Sequence, residues 1–139
     1  MFGMFRKKQL VELDDPVFGH LAFEPMHGID MWCHLPSGVG DHMVLVVAPL
    51  TGPTQAQRDF YTSLRDELPS RESECKMIIA AQESPPPNLA DMTIYSVEIG
   101  PEEELDAQQF VIELSDSDAN EIHRVEFRNG RPETYGIDD

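Results

Sequence analysis

Residues 42–50, HMVLVVAPL, form the longest apolar run of the chain and are rich in β-branched residues and leucine. The segment that follows, Thr51-Gly52-Pro53-Thr54, combines a turn with a helix start. A short apolar run closed by glycine and proline is typical of a strand that is covered on both faces. We therefore predict a central strand at 42–49 that neighbouring strands and a helix layer enclose.

Alternation of apolar and polar residues predicts two strands before this run, at 17–24 and 29–35. The pattern indicates an antiparallel hairpin with one buried face. In the first strand it assigns Val17, Leu21 and Phe23 to the buried face and His20 and Glu24 to the polar face. In the second it assigns Ile29, Met31, Cys33 and Leu35 to the buried face, and Asp30, Trp32 and His34 to the polar face.

One or two helices are predicted after the central strand. Apolar residues spaced four apart predict a helix over 53–68, with Pro53 at its first position and Pro69 at its end. Ser70 is a suitable cap for a second helix over 71–82, although residues 77–81 also fit a short strand.

The last third of the chain predicts four more strands, at 92–99, 109–114, 121–128 and 133–137. Asn129-Gly130 is the strongest hairpin signal in the sequence, and Pro132 is expected to keep the final strand short. The predicted fold class is therefore α+β, with a mainly antiparallel sheet and one or two helices packed on one face. Residues 9–139 are expected to form a single domain, preceded by a flexible basic and apolar tail at 1–8.

Acidic residues outnumber basic ones by 26 to 10, which gives a net charge of −16. Such a surface should repel nucleic acid and anionic membranes and should favour a basic protein partner. The chain has no apolar stretch of the length that a membrane helix needs, and its start does not resemble a secretory signal, so we expect a cytoplasmic protein. The sequence leaves open whether the chain forms a homo-oligomer.

The candidate metal ligands are His20, His34 and His42 on three successive predicted strands, with Glu24 and Asp30 nearby. Histidine with carboxylate is ligand chemistry for zinc or iron, but this spacing matches no compact motif. Residues 116–120, DSDAN, begin like a calcium loop and then lack the expected glycine and glutamate, so they predict a turn between strands. We therefore expect no cofactor, with a metal-binding module or metal-dependent enzyme as the alternative function.

No nucleophile elbow, phosphate-binding loop or paired-carboxylate site stands out in the sequence. The leading hypothesis is therefore a non-enzymatic domain that binds another protein. A tryptophan on an otherwise acidic face is a common interface anchor, although a covering helix would also account for it. The predicted partner-binding residues are Trp32, His20, His34, Glu24 and Asp30.

The segment Asp15-Pro16-Val17-Phe18-Gly19-His20-Leu21, followed by Trp32 on the next strand, resembles an uncharacterised bacterial domain family with a D-P-x-F-G-x-L start. Members of that family have a central helix and a terminal hairpin that ends near G-x-D, which here would be Gly136-Ile137-Asp138. Some of them look like immunity proteins that accompany secreted toxins. The resemblance thus implies an α+β fold and an immunity-like or adaptor role, and it supplies no catalytic residues.

Overall fold

The computed structural model describes residues 11–38, 41–116 and 121–138. These described residues form eight strands, one long helix and two short 3-10 helices, and the fold class is α+β as predicted. The helix α1 spans Gln55–Gln82, and the 3-10 helices span Leu89–Asp91 and Glu102–Ala107. The strands are β1 Glu12–Asp15, β2 Gly19–Phe23, β3 Met31–His34, β4 Met43–Val47, β5 Thr93–Ile99, β6 Phe110–Ser115, β7 Ile122–Arg128 and β8 Arg131–Asp138.

All eight strands belong to one sheet, in which their order is their order along the chain. Every pair of neighbours is antiparallel except β4 and β5, which are parallel. A parallel pair needs a long crossover connection, and α1 supplies it. The carboxyl ends of β4 and β5 consequently lie at the same edge of the sheet, beside the start of the helix.

The central position predicted for the apolar run is confirmed, since β4 lies between β3 and β5. Val44 and Val46 point into the main core beneath α1, and Leu45 lies in a second cluster on the other face. Both faces of β4 are therefore apolar, which explains why its sequence shows no alternation.

The prediction that Pro69 ends the helix was wrong, because α1 continues unbroken through it to Gln82. Proline interrupts the hydrogen-bond ladder, but Pro69 lies on the exposed side of the helix, where water can solvate the freed carbonyl. The buried side chains follow one stripe on both sides of the proline, so packing outweighs the local cost. These are Tyr61, Leu64, Leu68, Cys75 and Ile79.

The strand β1 was not predicted, because Leu13 is its one apolar residue that packs against the core. The turn from β1 to β2 begins at Asp15, whose carboxylate accepts hydrogen bonds from the amides of Val17 and Phe18, each at 2.9 Å. The other oxygen of Asp15 accepts from the guanidinium of Arg58 on α1 at 2.7 Å. The first hairpin is therefore tied directly to the helix, and β2 begins at residue 19 and not at 17.

The face assignment of β3 was wrong. Trp32 points toward α1 and is only 1% exposed, whereas Met31 and Cys33 lie on the opposite face. Ile29 and Leu35, which were expected to be buried, are exposed. Both faces of β3 carry apolar side chains, so alternation could not decide which one faces the helix, and the larger tryptophan occupies the larger core.

The second half of the sheet follows the prediction closely. Phe110, Ile112 and Leu114 of β6 are buried, as are His123, Val125 and Phe127 of β7. The Asn129-Gly130 turn has positive φ at both residues, as a tight hairpin requires. The strand β8 is longer than expected and includes Pro132, which is tolerated because β8 lies at the edge of the sheet.

Candidate functional site

A cleft lies at the edge of the sheet where the parallel strands β4 and β5 end. Its volume is about 500 Å³, and Val47, Ala48 and Pro49 supply apolar lining. The polar lining includes the carboxylates of Asp30, Glu102 and Glu103. All three acidic residues are exposed, so the cleft combines apolar walls with negative charge. We refer to it as the acidic cleft.

Gln57, in the first turn of α1, holds the walls of the acidic cleft together. Its side-chain amide nitrogen donates to the carbonyl of Val47, the last residue of β4, at 2.8 Å and to that of Gly100, just after β5, at 2.9 Å. Its side-chain oxygen accepts from the amide of Thr54 at 2.9 Å, and its own amide donates to the Thr54 hydroxyl at 3.2 Å. This capping box starts the helix. One buried side chain therefore fixes two strand ends and one helix start.

Trp32 contributes to the cleft from inside the core. Its indole N–H donates to the carbonyl of Pro49 at 2.8 Å. Its ring packs edge-on against that of Phe23, with 5.2 Å between the ring centroids. Asp30 is positioned nearby, since its carbonyl accepts from the amide of Ala48 at 3.2 Å. Trp32 is therefore a support for the cleft wall and does not offer its ring to a partner at the surface.

Most of the positive charge in the described part of the chain is already paired internally. Three of the ten basic residues, Arg6, Lys7 and Lys8, lie outside the described residues. Five of the other seven form ion pairs within the chain: Arg58, Arg71, Lys76, Arg124 and Arg128. Among the described residues, none of these ion pairs involves Asp30, Glu102 or Glu103.

His20 and His34 do not share a face, contrary to the sequence-based prediction. The ring of His20 is exposed on the face away from α1, within 2.8 Å of an Asp14 carboxylate oxygen and 3.0 Å of a Glu12 oxygen. These hydrogen bonds, that of Asp14 first, raise the pKa of His20. His20 thus belongs to a local cluster with β1, and not to a joint site with His34.

His34 and His42 lie on the helix side of the sheet, at the end away from the acidic cleft. His34 is within 3.4 Å of an Asp41 carboxylate oxygen and 3.1 Å of the carbonyl of His20. His42 is half-buried, and its Nε2 lies 3.1 Å from the Tyr61 hydroxyl. Burial lowers the pKa of His42 and raises the pKa of Tyr61.

The three histidines proposed as metal ligands are therefore not brought together. The described residues contain no group of three or more histidine, cysteine, aspartate or glutamate side chains positioned to hold a metal ion. Residues 117–120, most of the segment that begins like a calcium loop, lie outside the described residues. His123, in contrast, is buried in β7, with its Nδ1 2.7 Å from the Tyr135 hydroxyl.

A second concavity, of about 360 Å³, lies on the face of the sheet away from α1. Its two basic residues are already paired with carboxylates of the lining, because Arg124 contacts Glu98 at 3.2 Å and Arg128 contacts Glu133 at 3.8 Å. A charged ligand there would have to displace these pairs. The acidic cleft has the more available charge and is the better candidate for a binding site.

Of the five predicted partner-binding residues, Asp30 lines the acidic cleft, and Glu24 is exposed in the same β2–β3 connection. Trp32 supports the cleft from beneath, whereas His20 and His34 lie elsewhere. Gln57 was missed, although the sequence T-x-x-Q after a glycine and proline is a recognisable capping-box signal. Glu102 and Glu103 were not among the predicted site residues, since only the parallel pairing of β4 with β5 brings them beside Asp30.

No protein-family model matches the chain, and comparisons with curated proteins and with solved structures find no match. Within the described residues, no helix is long and apolar enough to cross a membrane.

Proposed function

We propose that this protein is a non-enzymatic binding domain that captures a basic protein partner at the acidic cleft. The observation that supports this proposal is the combination of apolar walls and three exposed carboxylates at one rigid edge of the sheet. A lysine or arginine side chain matches this arrangement, because its methylene groups pack on apolar surface while its charged end meets carboxylates.

The charge of the whole chain favours the same partner. A strongly acidic surface accelerates encounter with a basic protein and repels acidic ones, and salt weakens both effects. An immunity-like role, in which the partner is a basic toxin, is one form of this function and is the form that the family resemblance implies. The rigid attachment of the cleft walls through Gln57 limits the ordering cost on binding.

The test uses an arginine-rich peptide as probe and a glutamate-rich peptide of equal length as its control. Binding is measured by calorimetry, and the site is mapped by backbone NMR shifts. We expect the arginine-rich peptide to shift residues of the cleft, and the affinity to fall as salt is added. The combined variant Asp30→Asn, Glu102→Gln, Glu103→Gln should weaken binding by about ten-fold, the equivalent of ~1.4 kcal/mol.

The matched control removes the same number of charges away from the cleft, with Asp66→Asn, Glu121→Gln and Asp138→Asn. All three of those residues are exposed. This variant should lose much less affinity, because only long-range attraction changes. Equal losses in the two variants, or shifts spread evenly over the acidic surface, would show that the cleft is not the binding site.

A further inference from the structure

A pocket of about 370 Å³ lies between α1 and the 3-10 helix Glu102–Ala107, and we refer to it as the helix-side pocket. Its volume is within the range of small-molecule sites, roughly 300–1,000 Å³. It shares no lining residue with the acidic cleft. Its floor is apolar and consists of Phe60, Leu64, Leu105 and Phe110. Its rim is polar and includes Ser63, Glu67, Asp106 and Gln108.

One wall of the helix-side pocket is a stripe along α1. Phe60, Leu64, Glu67 and Arg71 are spaced three or four residues apart, so they lie on the same side of the helix. The ring of Phe60 is only partly buried, and its centroid lies 6.0 Å from that of Phe110. Part of an aromatic surface is therefore accessible to a ligand in this pocket.

The opposite wall is held in place by backbone hydrogen bonds. Gln108 ends the 3-10 helix in the left-handed conformation, with φ of 48°, and its amide donates to the carbonyl of Leu105 at 2.9 Å. The β7–β8 turn supports this wall from the other side, because Asn129 donates to the carbonyl of Ala107 at 2.7 Å and Gly130 to that of Gln108 at 3.4 Å. A wall that is already formed reduces the ordering cost of binding.

The charge of the rim selects the kind of ligand. Arg71 is the basic residue of the lining, and its guanidinium donates to the carbonyl of Gly130 at 2.6 Å and to carboxylate oxygens of Glu74 and Glu67, each at 3.0 Å. Among the described residues, Asp106 forms no ion pair, and it is exposed. An anion would have to displace partners of Arg71, whereas a cation can approach the carboxylate of Asp106 directly.

We propose that the helix-side pocket binds a small organic cation, which carries an ammonium group on an apolar body. The body packs on Phe60 and Leu105, and the ammonium group meets the carboxylate of Asp106. Aromatic surface beside a carboxylate is a favourable environment for such a ligand, because both the ring face and the carboxylate attract positive charge. The site is independent of the proposed capture of a basic protein at the acidic cleft, so either proposal can fail alone.

The probe is phenethylamine, which is an ammonium ion at neutral pH, and its neutral and anionic counterparts are phenylethanol and phenylpropionate. Each compound is titrated into the full chain, and backbone NMR shifts are recorded. We expect phenethylamine to shift Ser63, Leu105 and Gln108 with a Kd on the order of 1 mM, as suits a ligand of this size. Phenylethanol should bind about ten-fold more weakly, because it lacks the charge. Phenylpropionate should not shift these residues.

Two variants separate the charged contact from the apolar one. Asp106→Asn should lower the affinity for phenethylamine about five-fold and leave that for phenylethanol unchanged, because only the ammonium group loses its partner. Phe60→Leu should weaken both compounds by about three-fold, because both pack on the ring. The matched control is Asp66→Asn, which removes an exposed carboxylate from another side of α1 and should change neither affinity.

Equal affinities for the amine and the alcohol, or equal effects of Asp106→Asn and Asp66→Asn, would overturn the proposal. Shifts centred on Ala48 and Pro49 would also overturn it, because they would place the amine in the acidic cleft. Nuclear Overhauser effects between the ring of phenethylamine and the methyl groups of Leu64 or Leu105 provide a measurement that needs no variant. Their absence at saturating amine would refute the site.

Discussion

At the scale of single residues, His20 and His42 show how the environment shifts the pKa of the same imidazole group in opposite directions. Hydrogen bonds to Asp14 and Glu12 raise the pKa of the exposed His20, whereas burial lowers the pKa of His42. We expect ring signals in NMR to show His20 titrating above 6.5 and His42 below it. Because burial disfavours the charged form, the folded protein holds His42 neutral. The stability that depends on neutral His42 is therefore fully present above pH 6.5 and is lost as the pH falls below that value, where the unfolded chain binds a proton more readily.

The replacement His42→Gln provides the corresponding stability test. It should flatten the part of the pH dependence of the free energy of unfolding that arises below 6.5. His20→Gln should not, because the raised pKa of His20 places any effect of its titration above 6.5. Urea unfolding at several pH values measures the difference. Indistinguishable titration of the two histidines would contradict this description of their environments.

Asp15 is the residue on which the first hairpin most depends. Burial alone would raise its pKa, but hydrogen bonds from Phe18, Arg58 and Val17 hold the pKa below its ordinary value. Asp15→Ala leaves these donors without their acceptor and should cost about 2–4 kcal/mol in urea unfolding. The neighbouring Asp14→Ala is the control, with an expected loss of less than about 1 kcal/mol because Asp14 is exposed. Equal losses would show that the buried ion pair is not responsible.

At the scale of secondary-structure elements, Gln57 joins α1 to the ends of β4 and β5. Gln57→Leu keeps a similar volume but leaves the carbonyls of Val47 and Gly100 without this donor, and it removes the reciprocal half of the capping box. We expect a loss of about 2–4 kcal/mol in the free energy of unfolding. Gln55→Leu, at an exposed position in the same turn, should change stability by less than about 0.5 kcal/mol.

Pro69 lies within α1 and is expected to lower the stability of the helix. Proline in a helix interior is about 3 kcal/mol less favourable than alanine. Because Pro69 is exposed and α1 is continuous, Pro69→Ala should stabilise the protein by about 1–3 kcal/mol, measured by thermal and urea unfolding. Ser70→Ala is a matched control with a much smaller expected gain. A loss of stability in Pro69→Ala would show that the proline has a packing role.

The elements were predictable where one local signal dominated. Asn129-Gly130 predicted its hairpin, and the apolar run of β4 predicted the centre of the sheet. Pro69 was given too much weight, although Leu64, Leu68, Cys75 and Ile79 continue one stripe across it in phase. The strand β1 could not be predicted from periodicity, since its stability comes from pairing with β2 and from the Asp15–Arg58 contact.

At the scale of the whole molecule, the net charge of −16 opposes the compact state through self-repulsion. We expect added sodium chloride to increase the free energy of unfolding at pH 7, because it screens this repulsion. Near the isoelectric point of about 4.4, the same increment of salt should lose that effect. Destabilisation by salt at pH 7 would show that internal ion pairs outweigh the repulsion.

The candidate site depended on information that only the fold supplies. Asp30 was identified from its polar position in the sequence, but its association with Glu102 and Glu103 spans some 70 residues and requires the parallel pairing of β4 with β5. The sequence also did not determine the direction in which Trp32 points. Both faces of β3 are apolar, and the sequence does not indicate which of them packs against the helix.

The sequential order of the strands divides the chain into two contiguous halves, since β1–β4 and β5–β8 are each paired entirely with neighbours along the chain. The parallel β4–β5 pair and the packing of α1 are what join them. Two polypeptides divided in the proline-rich loop at 84–88 would therefore be natural partners for fragment complementation. Their reassembly would measure the formation of these contacts between the two halves separately from hairpin formation. We also expect these contacts to form slowly in folding, because they join residues far apart in the chain, whereas the hairpins on either side close between nearby residues.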